Sequence, residues 1–184
     1  MTSGLSQSKM AGRGALGGFG NRSSADEQRL RDYHEQTARE VADFLVPRLR
    51  KTGKGMMSLT DVYCLFNRAR GTNLLSPEDL RDSCALLNAG LNVGLSQRTF
   101  PSGIVVLQLD ALALSATNYE ARRKFIDLCA DENGKSALEA SHSLQLSPLL
   151  AAEQLEEAER LGWLCRDATL STVRFYPNKF ATAF

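Results

Sequence analysis

The sequence predicts an α+β fold, mostly helical, in which two similar units follow an N-terminal helix. Three observations predict it. A Ser-Pro dipeptide opens a helical pattern at Ser76-Pro77 and again at Ser147-Pro148, roughly 70 residues later. Each of these helices is followed by two short β-prone runs separated by turn residues. Ahead of each, apolar residues recur at the three- and four-residue spacing of an amphipathic helix.

Residues 1–24 are rich in glycine and serine and lack apolar periodicity, so a flexible tail is expected there. Ser24 and Glu27 stand at capping-box spacing. Leu30, Tyr33, Thr37, Val41, Phe44 and Leu45 then follow at helical spacing, and Pro47 is expected to end or kink that helix near Val46. The densest run is Gly55–Gly71. It combines a short strand, a Ser58-x-x-Asp61 helix start, a stripe of Leu59, Val62, Tyr63, Phe66 and Ala69, and a glycine stop at Gly71.

The next helix begins at Pro77, capped by Ser76 and Asp79, and turns Leu80, Cys84 and Leu87 inward. Leu95 to Phe100 and Gly103 to Asp110 read as strands joined by Pro101-Ser102-Gly103. The order then repeats. Tyr119 to Ala130 is helical with Phe125, Ile126 and Cys129 inward, Ala137 to Leu144 is a short helix, and Pro148 opens one that stops at Gly162. A second hairpin runs from Trp163-Leu164-Cys165-Arg166 to Val173-Arg174-Phe175-Tyr176.

Three helices closed by a β-hairpin make a winged helix. The expected organisation is a tail over 1–24, the N-terminal helix and first winged helix over 25–112, and a second winged helix over 113–184. Units this small bury little core alone, so the two are expected to pack on each other or on partners.

Composition narrows the function. The chain is 43% hydrophobic and 23% charged with a net charge of +1. Residues 1–25 carry Lys9, Arg13 and Arg22 without an acid, residues 26–110 are balanced, and residues 111–184 are acidic on balance. Winged helices often read DNA with the third helix, which needs Arg, Lys, Asn or Gln at the base edges. Here the third helices carry Glu78 and Asp79, and Glu153, Glu156, Glu157 and Glu159. Acids there repel phosphate, and the basic group Arg48, Arg50, Lys51 and Lys54 reads as a solvated helix end. DNA binding or a transcription-associated role is the alternative function, and no specific duplex binding is expected.

Catalysis fares worse. His34 and His142 have no metal-ligand neighbours in sequence and read as surface residues. There is no phosphate-binding glycine loop or nucleophile elbow. Cys64, Cys84 and Cys129 read as buried structural thiols, Cys165 as an inert strand thiol beside Arg166, and all four as reduced in a cytosolic protein. No cofactor is called for, and a non-enzymatic protein is expected. Protein binding remains. Trp163, Phe175, Tyr176 and Phe180 gather at the C-terminal edge, where Trp163 and Phe175 suit a core and Tyr176 and Phe180 suit interface anchors.

Taken together, Gly55–Gly71 followed by Leu75-Ser76-Pro77-Glu78-Asp79-Leu80 closely resembles the ESCRT-II subunits of the vacuolar protein sorting-associated protein 36 family. Phe100, Ser102–Val106, Leu164–Asp167, Arg174–Asn178 and Phe180 agree, in order, over about residues 26–180. The resemblance implies a tandem winged-helix region and a structural role in sorting ubiquitinated membrane proteins into multivesicular bodies. It implies a hetero-oligomer with one sister subunit and two copies of a small subunit, an indirect link to ESCRT-III, and a cytoplasmic chain recruited to endosomal membrane. The family's upstream GLUE domain has no counterpart in these residues, so direct lipid or ubiquitin binding is not carried over. In the family the small subunit inserts a Pro- and aromatic-rich segment into the second winged helix. The candidate contacts here are Trp163, Phe175, Tyr176 and Phe180, with Arg166, Asp167 and Arg174 placed to orient a peptide.

Overall fold

The computed structural model describes residues 24–180; the expected tail lies, apart from Ser24, outside them. The first unit is built from α1 (Ser24–Thr52), β1 (Met56–Ser58), α2 (Leu59–Arg70), α3 (Pro77–Ala85), β2 (Leu95–Thr99) and β3 (Val105–Leu109). The second comprises α4 (Tyr119–Leu128), α5 (Ala137–Leu144), α6 (Pro148–Arg160), β4 (Leu164–Ala168) and β5 (Val173–Pro177). Both follow the winged-helix order. The fold class is the α+β, mostly helical one that the sequence predicts.

Helix starts obey the capping chemistry. Ser58, Ser76 and Ser147 each accept the backbone N–H three residues on. Pro77 and Pro148 occupy first-turn positions where no intrahelical N–H is required. Gly71 closes α2 at φ 72°, a left-handed backbone that glycine adopts without a Cβ penalty.

The helix α1 corrects one expectation: it continues through Pro47 to Thr52. The proline ring removes one ladder bond on the exposed side, where the freed Asp43 carbonyl can meet water. Leu45 and Leu49, on either side of it, are both fully buried and hold the last turns against the core. Leu30 and Tyr33, expected on the apolar stripe, are 37% and 44% exposed, and burial begins at Thr37. His34 is not a free surface residue. Its Nε2 lies 3.5 Å from Asp79 Oδ1 on α3.

Val41, Leu45 and Leu49 of α1 meet Val62 and Phe66 of α2, Leu80 and Cys84 of α3, and Leu95, Leu107 and Leu109 of the strands in the first core. The stripe on α2 stops short of Ala69, which is exposed. Cys64 is exposed too, against expectation. It lies two residues from both Val62 and Phe66, roughly 200° around the helix from each. Cys84 and Cys129 are buried, and loss of water pushes their thiols up to about 12 and about 11.

In the first unit β1 joins the wing, giving a three-stranded antiparallel sheet in the order β1-β3-β2. In the second, β4 and β5 pair alone, and the place of a third strand is held by a single bridge between Lys135 and Phe175. Phe125, Ala140, Leu155, Ala158, Trp163, Leu164 and Phe175 form the second core.

Asn67 is a buried polar anchor on α2. Its Nδ2 donates to the Leu75 carbonyl at 3.1 Å and its Oδ1 accepts the Leu75 N–H at 2.8 Å. Asn67→Ala would strand both backbone groups at a residue only 3% exposed. A loss of about 1–3 kcal/mol is expected on urea unfolding, against little change for the exposed Asn73→Ala.

Candidate partner-binding surface

The second unit's third helix, α6, decides which surfaces are open. Its apolar side faces the second core through Ala151, Leu155 and Ala158. A second side, carrying Leu150, Glu153, Gln154 and Glu157, is turned to the first unit. Leu150 packs with Met56, Phe100 and Val106. Gln154 Nε2 contacts the Met56 sulfur at 3.7 Å. Glu157 Oε1 pairs with Arg98 Nη2 at 2.7 Å, while its Oε2 holds Arg160 Nη2 at 2.7 Å. The Arg98 guanidinium also stacks 5.0 Å from the Phe100 ring centre.

The receiving surface is the outer face of the first sheet. Met56, Arg98, Val106 and Gln108 fall on it by strand alternation and register. That explains why Val105-Val106-Leu107-Gln108-Leu109 is almost continuously buried, with helices on one face and α6 on the other. Glu153 and Glu157, which the sequence suggests would repel DNA as solvated acids, are instead drawn into this seam. Glu153 is 6% exposed. The helix is unfit for a major groove because its side is covered.

The open surface is the second wing. Register places Cys165, Asp167, Arg174 and Tyr176 on its outward face, and Leu164, Arg166 and Phe175 on its inward one. Trp163 and Phe175 are 4% and 3% exposed, so they support the wing from within the core. Arg166, though inward by register, reaches the edge of α6 and pairs with Glu159 at 3.4 Å. Asp167 is exposed opposite Arg174. Tyr176 is half-buried, and Phe180, just past the strand, is 78% exposed.

Beside Tyr176 and Arg174 lies a polar recess lined by Asp131, Asn133, Gly134, Lys135 and Glu139. Arg174 Nη1 donates to the Asn133 carbonyl at 2.9 Å and lies 3.4 Å from Glu139 Oε2. Glu139 accepts the Ser136 N–H at 2.8 Å in a full capping box. That bond, then the Ser136 hydroxyl and the Arg174 charge, hold its carboxyl below the usual carboxylate range. Lys135 is raised by its hydrogen bond to Asp131. Gly134 is required where it stands. A Cβ there would meet the Phe175 carbonyl at 2.7 Å and the Tyr176 ring at 2.8 Å.

Sequence reasoning missed this recess; it expected the units to pack on each other or on partners, but not which residues make the seam. The signal for the recess was present, because Ser136-Ala-Leu-Glu139 is itself a capping-box spacing. Nothing in the linear order joins Arg98 to Glu157. Among the described residues no group of three or more His, Cys, Asp or Glu could hold a metal ion. No helix among them is long and apolar enough to cross a membrane.

Comparison with known proteins agrees with the fold. The chain is similar to a chain in a solved structure described as the ESCRT-II endosomal trafficking complex. The TM-score is 0.56 at 23% identity, covering 80% of this chain and 92% of that one. It is 45% identical over 148 residues to vacuolar protein-sorting-associated protein 36 of Danio rerio and 42% identical over 150 to that of Homo sapiens. The Dictyostelium discoideum protein of that name is 33% identical over 158 residues. These alignments take in 80%, 82% and 80% of this chain, but only 37%, 37% and 25% of the relatives' lengths. Residues 4–168 match the EAP30/Vps36 family, and the chain belongs to that family.

Proposed function

We propose that this chain is the winged-helix portion of a structural ESCRT-II subunit, acting in endosomal sorting of ubiquitinated membrane proteins through protein contacts. In this reading two modules, meeting near residue 112, form one scaffold. It joins a sister subunit and a small subunit, lives in the cytoplasm, and is drawn to endosomal membrane by the assembly. It binds proteins and catalyses nothing. One observation carries the reading: α6, the helix a DNA-reading winged helix would present, is occupied by the first unit, while the outward face of the second wing stays open. Family membership supports the choice of complex.

Within that open face, Phe180 and Tyr176 are the anchors, Arg174 and Asp167 the polar guides, and Arg166 a rim charge already engaged with Glu159. Trp163 and Phe175 keep the wing in shape beneath them.

Co-purification with the small ESCRT-II subunit tests this. Phe180→Ala should weaken binding by about thirtyfold, the loss of ~2 kcal/mol typical of a desolvated aromatic anchor. Its melting transition should not move. Tyr176→Ala should weaken binding similarly and lower the melt slightly, because its ring also packs on Gly134. Normal binding by both variants would place the contact elsewhere, and salt-resistant retention of the chain on duplex DNA would favour the nucleic-acid alternative.

A further inference from the structure

Asn133-Gly134 is the one Asn-Gly dipeptide in the chain. It sits in the turn between α4 and α5, at the floor of the second wing. Asn133 is exposed, and its side-chain amide makes no hydrogen bond among the described residues. Glycine follows it because nothing larger fits against the Phe175 carbonyl and the Tyr176 ring. The residue that the fold demands at 134 is also the one that leaves the preceding asparagine least shielded. A missing Cβ lets the next backbone nitrogen approach the side-chain carbonyl.

We propose that Asn133 is a site of spontaneous conversion to aspartate and isoaspartate, gated by opening of this turn. The Gly134 amide nitrogen gives its proton to solvent base and attacks Asn133 Cγ. The C–N bond to the side-chain nitrogen breaks, ammonia leaves, and a five-membered succinimide closes. Water then opens the ring at Cγ to give aspartate, or at the main-chain carbonyl to give isoaspartate. One water is consumed, one ammonia released, and nothing is oxidised or reduced.

The fold restrains the first step. The Gly134 N–H is held by the Asp131 carbonyl at 2.9 Å, Lys135 pairs with the Asp131 carboxylate, and Arg174 holds the Asn133 carbonyl at 2.9 Å. Reaction therefore waits for local opening, a low-energy fluctuation in an exposed turn. The product is not neutral for the wing. Isoaspartate inserts a main-chain carbon next to Gly134, and two bonds of its neighbour Lys135 form the one third-strand pairing this hairpin has among the described residues. Lys135 N–H reaches the Phe175 carbonyl at 3.0 Å, and Phe175 N–H reaches the Lys135 carbonyl at 2.9 Å. Either product also adds a carboxylate beside Asp131, Glu132 and Glu139, against Arg174 and Tyr176. The consequence for binding rests on the reading of this face given above; the chemistry does not.

The test ages the full chain at mildly alkaline pH and follows each asparagine by peptide mass spectrometry, with isoaspartate marked by enzymatic carboxyl methylation. Asn133 should convert at least about tenfold faster than Asn73, which lies in another exposed turn but precedes leucine. Lys135→Ala, which frees Asp131, should accelerate it severalfold further. A rate no higher than that of Asn73, or one indifferent to Lys135→Ala, overturns the site. Aged wild-type chain should lose small-subunit binding in proportion to conversion, while Asn133→Gln aged alongside keeps it. Full binding by converted chain overturns the binding consequence alone. Failure of fresh chain to bind would count against the surface and leave the conversion standing on its mass data.

Discussion

The packing of α6 on the outer face of the first sheet is the contact on which the rest of this molecule depends. Leu150 supplies the apolar part, against Met56, Phe100 and Val106. Glu157, gripped by Arg98 from one unit and Arg160 from its own helix, supplies the directional part. Such a partly buried pair is weak evidence of net stability, because desolvation offsets much of the attraction. Its effect is on geometry: the short charge-assisted bond from Arg98 crosses between the units, while Arg160 fixes the Glu157 carboxylate from within α6, so one angle between the units is favoured.

The same contact sorts the surfaces by role. A helix that might have entered a DNA groove is closed off, and the seam leaves the second wing as the accessible hairpin. There the buried supports lie beneath and the proposed anchors above. Trp163 and Phe175 fill the core, Gly134 lets Tyr176 lie flat on the turn, and Phe180 stands in solvent just beyond β5. Rigidity below and exposure above suit a scaffold face, since a preorganised surface loses little freedom on binding.

Much of this was legible in the linear order. Capping serines and first-turn prolines set α2, α3 and α6 because their chemistry is local, and the α2 and α5 bounds follow directly from it. The inward faces of α3 and α4 follow from periodicity, except that Ile126, expected inward on α4, is half-buried and outside the second core. Errors came where tertiary packing overrides a local rule. Pro47 should break a helix, yet Leu45 and Leu49 hold α1 together across it. Cys64 sits within an apolar run but off its stripe, a matter of angle rather than composition. The role of Glu157 was out of reach, because Arg98 lies in the other unit, and so was the burial of Glu153 beside it on α6. Phe180 was readable as exposed because it lies beyond the last strand.

The most direct measurement is urea unfolding of the full chain, followed in parallel by fluorescence and far-ultraviolet circular dichroism. Trp163, the single tryptophan and 4% exposed, reports the second core, whereas the 29-residue α1 dominates the helical signal of the first. If α6 ties the units into one body, the two curves superimpose on one transition. Leu150→Ala combined with Glu157→Gln should then pull them apart. Two separate transitions in the unaltered chain would contradict the seam as the organising contact.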